Sequence, residues 1–148
     1  MDKITQQIIK ANLQAQINGV ELLPICLYGA RGLGKTSTIA SITEEIGAKL
    51  YTVSIPAKNL EFFSGLPNFN TSTDLAKYSM SGAKSVQGTT WTASELIANA
   101  NHIAEQHGSC VLLLDDLHKL NQSTSTIMYQ LLLDKSLGDF KLHPKVAI

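Results

Sequence analysis

Apolar positions recur at helical spacing over the first part of the chain. Ile4, Ile8, Ala11 and Ile17 fall near one face of a helix over residues 4–17, with Gln and Asn elsewhere, and Asn18-Gly19 ends it. Leu22 to Tyr28 is a short apolar run leading straight into glycines, the mark of a buried strand. Helical spacing returns from Lys35 to Ile46, with Ile39, Ile42 and Ile46 inward and Gly47 as the C-terminal stop. Lys49 to Ile55 alternates, placing Tyr51, Val53 and Ile55 on one face of a second strand.

Residues 56–91 break the pattern. Pro56, Pro67, several glycines and many Ser, Thr and Asn predict an irregular insertion with room for one short helix. Thr92-Ala93-Ser94-Glu95 then reads as a capping box, in which Thr92 and Glu95 satisfy the first free amides of a helix. Leu96, Ile97, Ala100, Ile103 and Ala104 form that helix's apolar stripe, and Gly108 ends it. Cys110 to Leu114 is apolar throughout, which predicts a third strand covered on both faces. Residues 123–136 predict a helix with Ile127, Leu131 and Leu132 inward. Gly138, Phe140 and Leu142 make a short connection, and Val146 to Ile148 open a fourth strand in which the chain stops.

Strands alternating with helices imply an α/β fold, a parallel sheet with helices on both faces, three layers in all. The expected organisation is a single core over residues 1–148, with an N-terminal helix in 1–19 and the irregular insertion at 56–91. The chain length suits one domain with a real core.

Two places on this scaffold carry chemistry. Gly29-Ala30-Arg31-Gly32-Leu33-Gly34-Lys35-Thr36, followed by Ser37, fits G-x-x-x-x-G-K-[ST]. Glycines let consecutive amides turn toward one phosphate, and the next helix adds its positive N-terminal end. Lys35 can bridge the terminal phosphates and the Thr36 hydroxyl can take one coordination site on Mg²⁺. The bland alternative is a Gly-rich turn with an incidental lysine. Against it, the motif follows an apolar strand and opens a periodic helix, the context it requires. This predicts a P-loop fold binding Mg-ATP through residues 29–37, with Lys35 also catalytic.

The second place is the end of the third strand, Val111-Leu112-Leu113-Leu114-Asp115-Asp116. In a P-loop fold such a strand is expected beside the first one, with its C-terminal end toward the nucleotide. Asp115 would then hold Mg²⁺ together with Thr36, and Asp116 would orient or deprotonate an attacking water. By itself a pair of acids after a strand often marks only a turn.

Composition narrows the setting. Twelve basic residues balance twelve acidic ones, so no concentrated positive field favours direct nucleic-acid binding. Arg31 is the only arginine in the sequence, and it lies inside the Gly-rich loop. Cys26 and Cys110 sit in apolar runs without metal-ligand spacing and read as small buried hydrophobes in a reducing compartment. His102, His107, His118 and His143 show no zinc-type spacing. Trp91 reads as a packing anchor rather than a base-stacking platform, and the polar stretch 68–90 as a solvated loop or a partner-binding insertion. The N-terminus has no apolar signal region and no run approaches the roughly 20 residues of a membrane span, so a cytoplasmic protein is expected.

With both motifs in place, residues 20–148 resemble the AAA+ ATPases, and within them the MoxR-like group with its phage-type relatives. Phe63-Ser64-Gly65-Leu66-Pro67 is similar to that group's Gly-x-Pro segment, and residues 128–140 to its helix ending in a Leu-Gly turn. The resemblance implies a sheet of order 5-1-4-3-2, here truncated in or after the fourth strand, with the C-terminal part of the ATPase domain absent. It implies ATP bound between subunits of a homo-oligomeric ring, with hydrolysis driving remodelling or assembly of a partner protein. The sequence departs from the group at Asp115-Asp116, where Asp-Glu is usual, and at His118-Lys119, where Asn-Arg is usual. Within residues 1–148 no arginine is placed to act as a finger, which points to a nearly inactive segment. The rival readings are an interaction module that binds nucleotide with little hydrolysis, a replication-associated AAA+ loader, and, more weakly, a small-molecule kinase.

Overall fold

The structure, a computed structural model, describes residues 1–68 and 90–148. The polar stretch between them, weighed above as a partner-binding insertion, lies outside the described residues.

Helix α1 (Lys3–Ile17) starts on Asp2, whose side chain accepts from Thr5 N, and ends at Asn18. Helix α2 (Lys35–Glu45) follows the Gly-rich loop, and strand β1 (Lys49–Ser54) succeeds it. After a 3-10 turn at Ile55–Ala57 come the short helix α3 (Leu60–Ser64) and the paired β2 (Pro67–Asn68) and β3 (Thr90–Trp91). Helix α4 (Glu95–His107), strand β4 (Cys110–Asp115) and helix α5 (Gln122–Asp134) complete the middle of the chain. A small hairpin of β5 (Ser136–Leu137) and β6 (Phe140–Lys141) leads to β7 (Val146–Ala147).

Among the described residues the central sheet has three parallel strands in the order β1-β4-β7. Its register runs from Lys49↔Cys110 to Ser54↔Asp115 on one side of β4, and through Cys110↔Val146 on the other. Successive β4 side chains point to opposite faces. Cys110, Leu112 and Leu114 join a core built by α3, α4 and α5, including Phe63, Leu96 and Met128. Val111 and Leu113 join a second core with Ile9, Leu13, Ile39 and Ile42 of α1 and α2. The apolar strand is therefore covered on both faces, as its composition predicts, and the layers are helix, sheet, helix.

Several expectations are corrected. Residues 22–28 form no strand, and Leu22, Leu23, Ile25 and Tyr28 are exposed. A strand needs a neighbour's backbone. The outer groups at the end of β7 are already taken: Gln16 Nε2 donates to Ile148 O and Ile148 N donates to Gln16 Oε1, both at 3.2 Å. Accordingly β4 lies between β1 and β7, not beside a strand formed by residues 22–28.

The same glutamine sets the rotation of α1. Ile9, Leu13 and Gln16 face inward, whereas Ile4 and Ile8 are 71% and 57% exposed and Ala11 is also exposed. Two apolar stripes compete in this helix, and the buried one packs on α2 while carrying Gln16 to the sheet edge. At α4 the capping group is Ser94, whose hydroxyl accepts from Ile97 N. Thr92 is occupied elsewhere, its hydroxyl accepting from Leu66 N at 2.9 Å. In α5 the buried residues are Thr124, Met128 and Leu131, with Ile127 and Leu132 half-buried. Cys26 is exposed, unlike Cys110, and Trp91 is 53% exposed rather than a packing anchor.

Candidate functional site

The Gly-rich loop delivers the chain into α2 through Gly34, which adopts φ 70°, ψ 23° at the N-cap. That left-handed conformation suits glycine, and a Cβ there would meet Ser37 Oγ at 3.2 Å. Among the described residues no side chain caps the helix. Its first amides and the positive end of its dipole are thus left for an anion. The Ser37 and Thr38 hydroxyls instead donate to Gly34 O at 2.9 and 2.8 Å and fix the turn from inside. Ser37 therefore spends its hydroxyl on the loop itself, while among the described residues Thr36 has no protein partner for its own.

Lys35 folds back over the loop, its Nζ donating to Gly29 O at 3.0 Å and Ala30 O at 2.7 Å. These carbonyls hold the ammonium where the loop curls, in exposed and easily exchanged contacts. Leu33 is 60% exposed. Gly29, Ala30, Arg31, Gly32 and Gly34 to Ser37 all line one open cleft of about 1480 Å³, whereas Leu33 does not.

Across that cleft stands the end of β4. Asp115 is half-buried, and its Oδ1 accepts from Asp116 N at 2.9 Å. Asp116 takes φ 58°, ψ 37°, an uncommon conformation for a residue with a Cβ, and starts a 3-10 turn over Leu117–Lys119. Its Oδ2 pairs with Lys119 Nζ at 2.8 Å. That hydrogen bond holds the Asp116 carboxyl below the usual range against the next largest effect, desolvation, and the charges of Lys119, Arg31 and His118 add to it. Arg31 and Asp116 line the same cleft, so the loop and the strand end face one another.

The fold thus brings Lys35, Thr36, Asp115 and Asp116 to one cleft, although the strand expected before the loop is missing. Among the described residues no three His, Cys, Asp or Glu side chains gather as a metal cage. A hydroxyl and a carboxylate fit a cation that draws its other ligands from phosphate and water, the habit of Mg²⁺. The sequence reading missed the apolar far wall, contributed by Ile9 and Leu13 of α1 and by Tyr129, Leu132 and Leu133 of α5. Its signal was weak because these residues look like ordinary helix-face positions. Among the described residues no helix is long and apolar enough to cross a membrane.

A family model described as "ATPase family associated with various cellular activities (AAA)" matches residues 25–136. Comparison with curated proteins and with solved structures gives no match.

Proposed function

Because the chain belongs to the AAA family of ATPases, we propose that its cleft takes up Mg-ATP and that, in an oligomeric ring, hydrolysis there drives remodelling or assembly of a partner protein. One observation carries the reading: an uncapped helix N-terminus, a lysine and a pair of carboxylates from two distant segments open onto the same cleft. The amides of residues 29–36 would bind phosphate, with Lys35 giving up its two loop carbonyls for phosphate oxygens. Thr36 and Asp115 would hold the metal, which supplies charge neutralisation at the phosphates. Asp116 would orient water. The MoxR-like kinship, the sheet order 5-1-4-3-2 and a cytoplasmic setting belong to the same proposal. The order β1-β4-β7 supports the 4-3-2 portion of that sheet.

The test is nucleotide affinity measured by titration calorimetry with Mg²⁺ present. A charge-assisted contact contributes roughly 1.5–3 kcal/mol, so Lys35→Ala is expected to weaken ATP binding about 10- to 150-fold. The far-UV circular dichroism should be unchanged, since Lys35 is only half-buried and its ammonium holds only loop carbonyls. Equal affinity for the two proteins overturns the assignment.

A further inference from the structure

Lys119 is not part of the phosphate loop, yet it lines the same cleft and holds the acid at the end of β4. The local chain favours this contact. At three residues per turn a 3-10 helix eclipses positions i and i+3. Asp116 is the N-cap of the turn, Lys119 N donates to Asp116 O at 2.9 Å, and Lys119 Nζ reaches Asp116 Oδ2 at 2.8 Å. Both partners are substantially exposed, their side chains at 39% and 32%.

An exposed pair of this kind shifts an equilibrium by about fivefold at most. A charge-assisted hydrogen bond to a phosphate oxygen is stronger, about tenfold to 150-fold. When a triphosphate enters the cleft, the carboxylate is the weaker of the two competitors for the ammonium. Lysine, a point charge on a flexible stem, can change partners without the fixed fork geometry that arginine demands.

We propose that Lys119 is an exchange residue that leaves Asp116 for the terminal phosphate of a bound nucleoside triphosphate. One movement then places a further cation at that phosphate and releases the Asp116 carboxylate to face water. Lys119 is in this sense a positioning residue for Asp116, and it distinguishes ATP from ADP, which lacks the phosphate it moves to. In a chain whose single arginine lies in the phosphate loop, this supplies a second mobile cation on the opposite wall. The inference rests on the Mg-ATP reading of the cleft.

The experiment compares Mg-ATP and Mg-ADP affinities by titration calorimetry on the 148-residue chain. Lys119→Met is expected to weaken ATP about tenfold and ADP less than twofold, and Lys119→Arg to recover most of the loss. Asp116→Asn, which frees the lysine, should tighten ATP by up to about fivefold. That gain should vanish in the Lys119→Met background, which separates exchange from simple loss of a negative charge. An unchanged ADP-to-ATP ratio in Lys119→Met, or equal weakening of both nucleotides, overturns the exchange. If Lys35→Ala meanwhile loses both nucleotides, the site reading survives without it. A parent chain that binds neither nucleotide overturns both.

Discussion

Asp115 and Asp116 are adjacent in sequence but have different surroundings, and under the proposed function that difference would give them different work. Asp115 closes the strand, half-buried, with one oxygen turned back to the next amide. Asp116 has left the strand for a left-handed turn and is pinned by an exposed lysine. Asp115→Ala should therefore abolish the Mg²⁺ dependence of ATP affinity. Asp116→Asn should keep binding at least as tight, read by calorimetry, and should lower turnover in an assembly that hydrolyses ATP, read as phosphate release. Full turnover in Asp116→Asn would remove the water-orienting role. The cysteines make a second contrast. Burial raises the Cys110 thiol to about 11, while Cys26 is exposed. Thiolate is the reactive form, so a disulfide reagent at pH 8 should titrate one thiol in the folded chain, none in Cys26→Ser, and both in denaturant. The same shift has a sign for stability. The folded state holds the Cys110 proton that the unfolded state releases near its ordinary pKa, so this group costs stability as pH rises through that value toward 11.

Among the elements, the segment between α3 and α4 carries the sharpest sequence constraint. Gly65 takes φ 73°, ψ −174°, a region open essentially to glycine, and a Cβ on it would collide with Thr92 O. The backbone is drawn in by Thr92, whose amide donates to Leu66 O at 2.9 Å while its hydroxyl bonds Leu66 from the other side. Gly65→Ala should lower stability by at least roughly 1–3 kcal/mol, read as a reduced denaturation midpoint. Gly47→Ala, also at positive φ (70°) but with open space around it, should cost only about 1 kcal/mol. Equal losses would mean that the collision relaxes away. This segment also shows what a sequence can and cannot reveal. That the Gly-rich loop and the acidic strand end share one cleft was legible, because the motif expected of them requires given residue types at given spacing. The burial of β4 on both faces was legible because its run is apolar throughout. The rotation of α1 was not, since the helix offers two apolar stripes and the buried one includes Gln16, whose partner lies 132 residues away. Nor was the choice of Ser94 over Thr92 as cap, because only the tertiary fold brings Leu66 within reach of Thr92. The strand at residues 22–28 was expected from local pattern alone, whereas pairing is decided by the neighbouring edge.

On the scale of the whole molecule, those unpaired residues have consequences for assembly and turnover. Leu23, Ile25 and Tyr28 are 66%, 36% and 101% exposed, and Ile4 and Ile8 of α1 and Leu133 of α5 add to the uncovered apolar surface. Among the described residues this apolar segment pairs with no strand, and such a segment is a template for pairing with another chain. The β7 end is a poorer template, since the Gln16 amide occupies both backbone groups of Ile148. The 148-residue chain is therefore expected to self-associate through residues 22–28, and light scattering should report a mass above 16.0 kDa. Leu23→Lys combined with Ile25→Lys should return it to a monomer, while Gln16→Ala, which bares the sheet edge, should increase association. Turnover should stay low in either state. Where P-loop ATPases receive an arginine at the transferring phosphate, its contribution is about 10³–10⁵ in rate. Arg31, the single arginine in this sequence, already lies in the loop that would wrap the phosphates. Associated or not, the chain should bind ATP and release phosphate very slowly. A monomer with brisk turnover would contradict both halves of the argument and would mean that Arg31 or Lys119 stabilises the transition-state charge within one subunit.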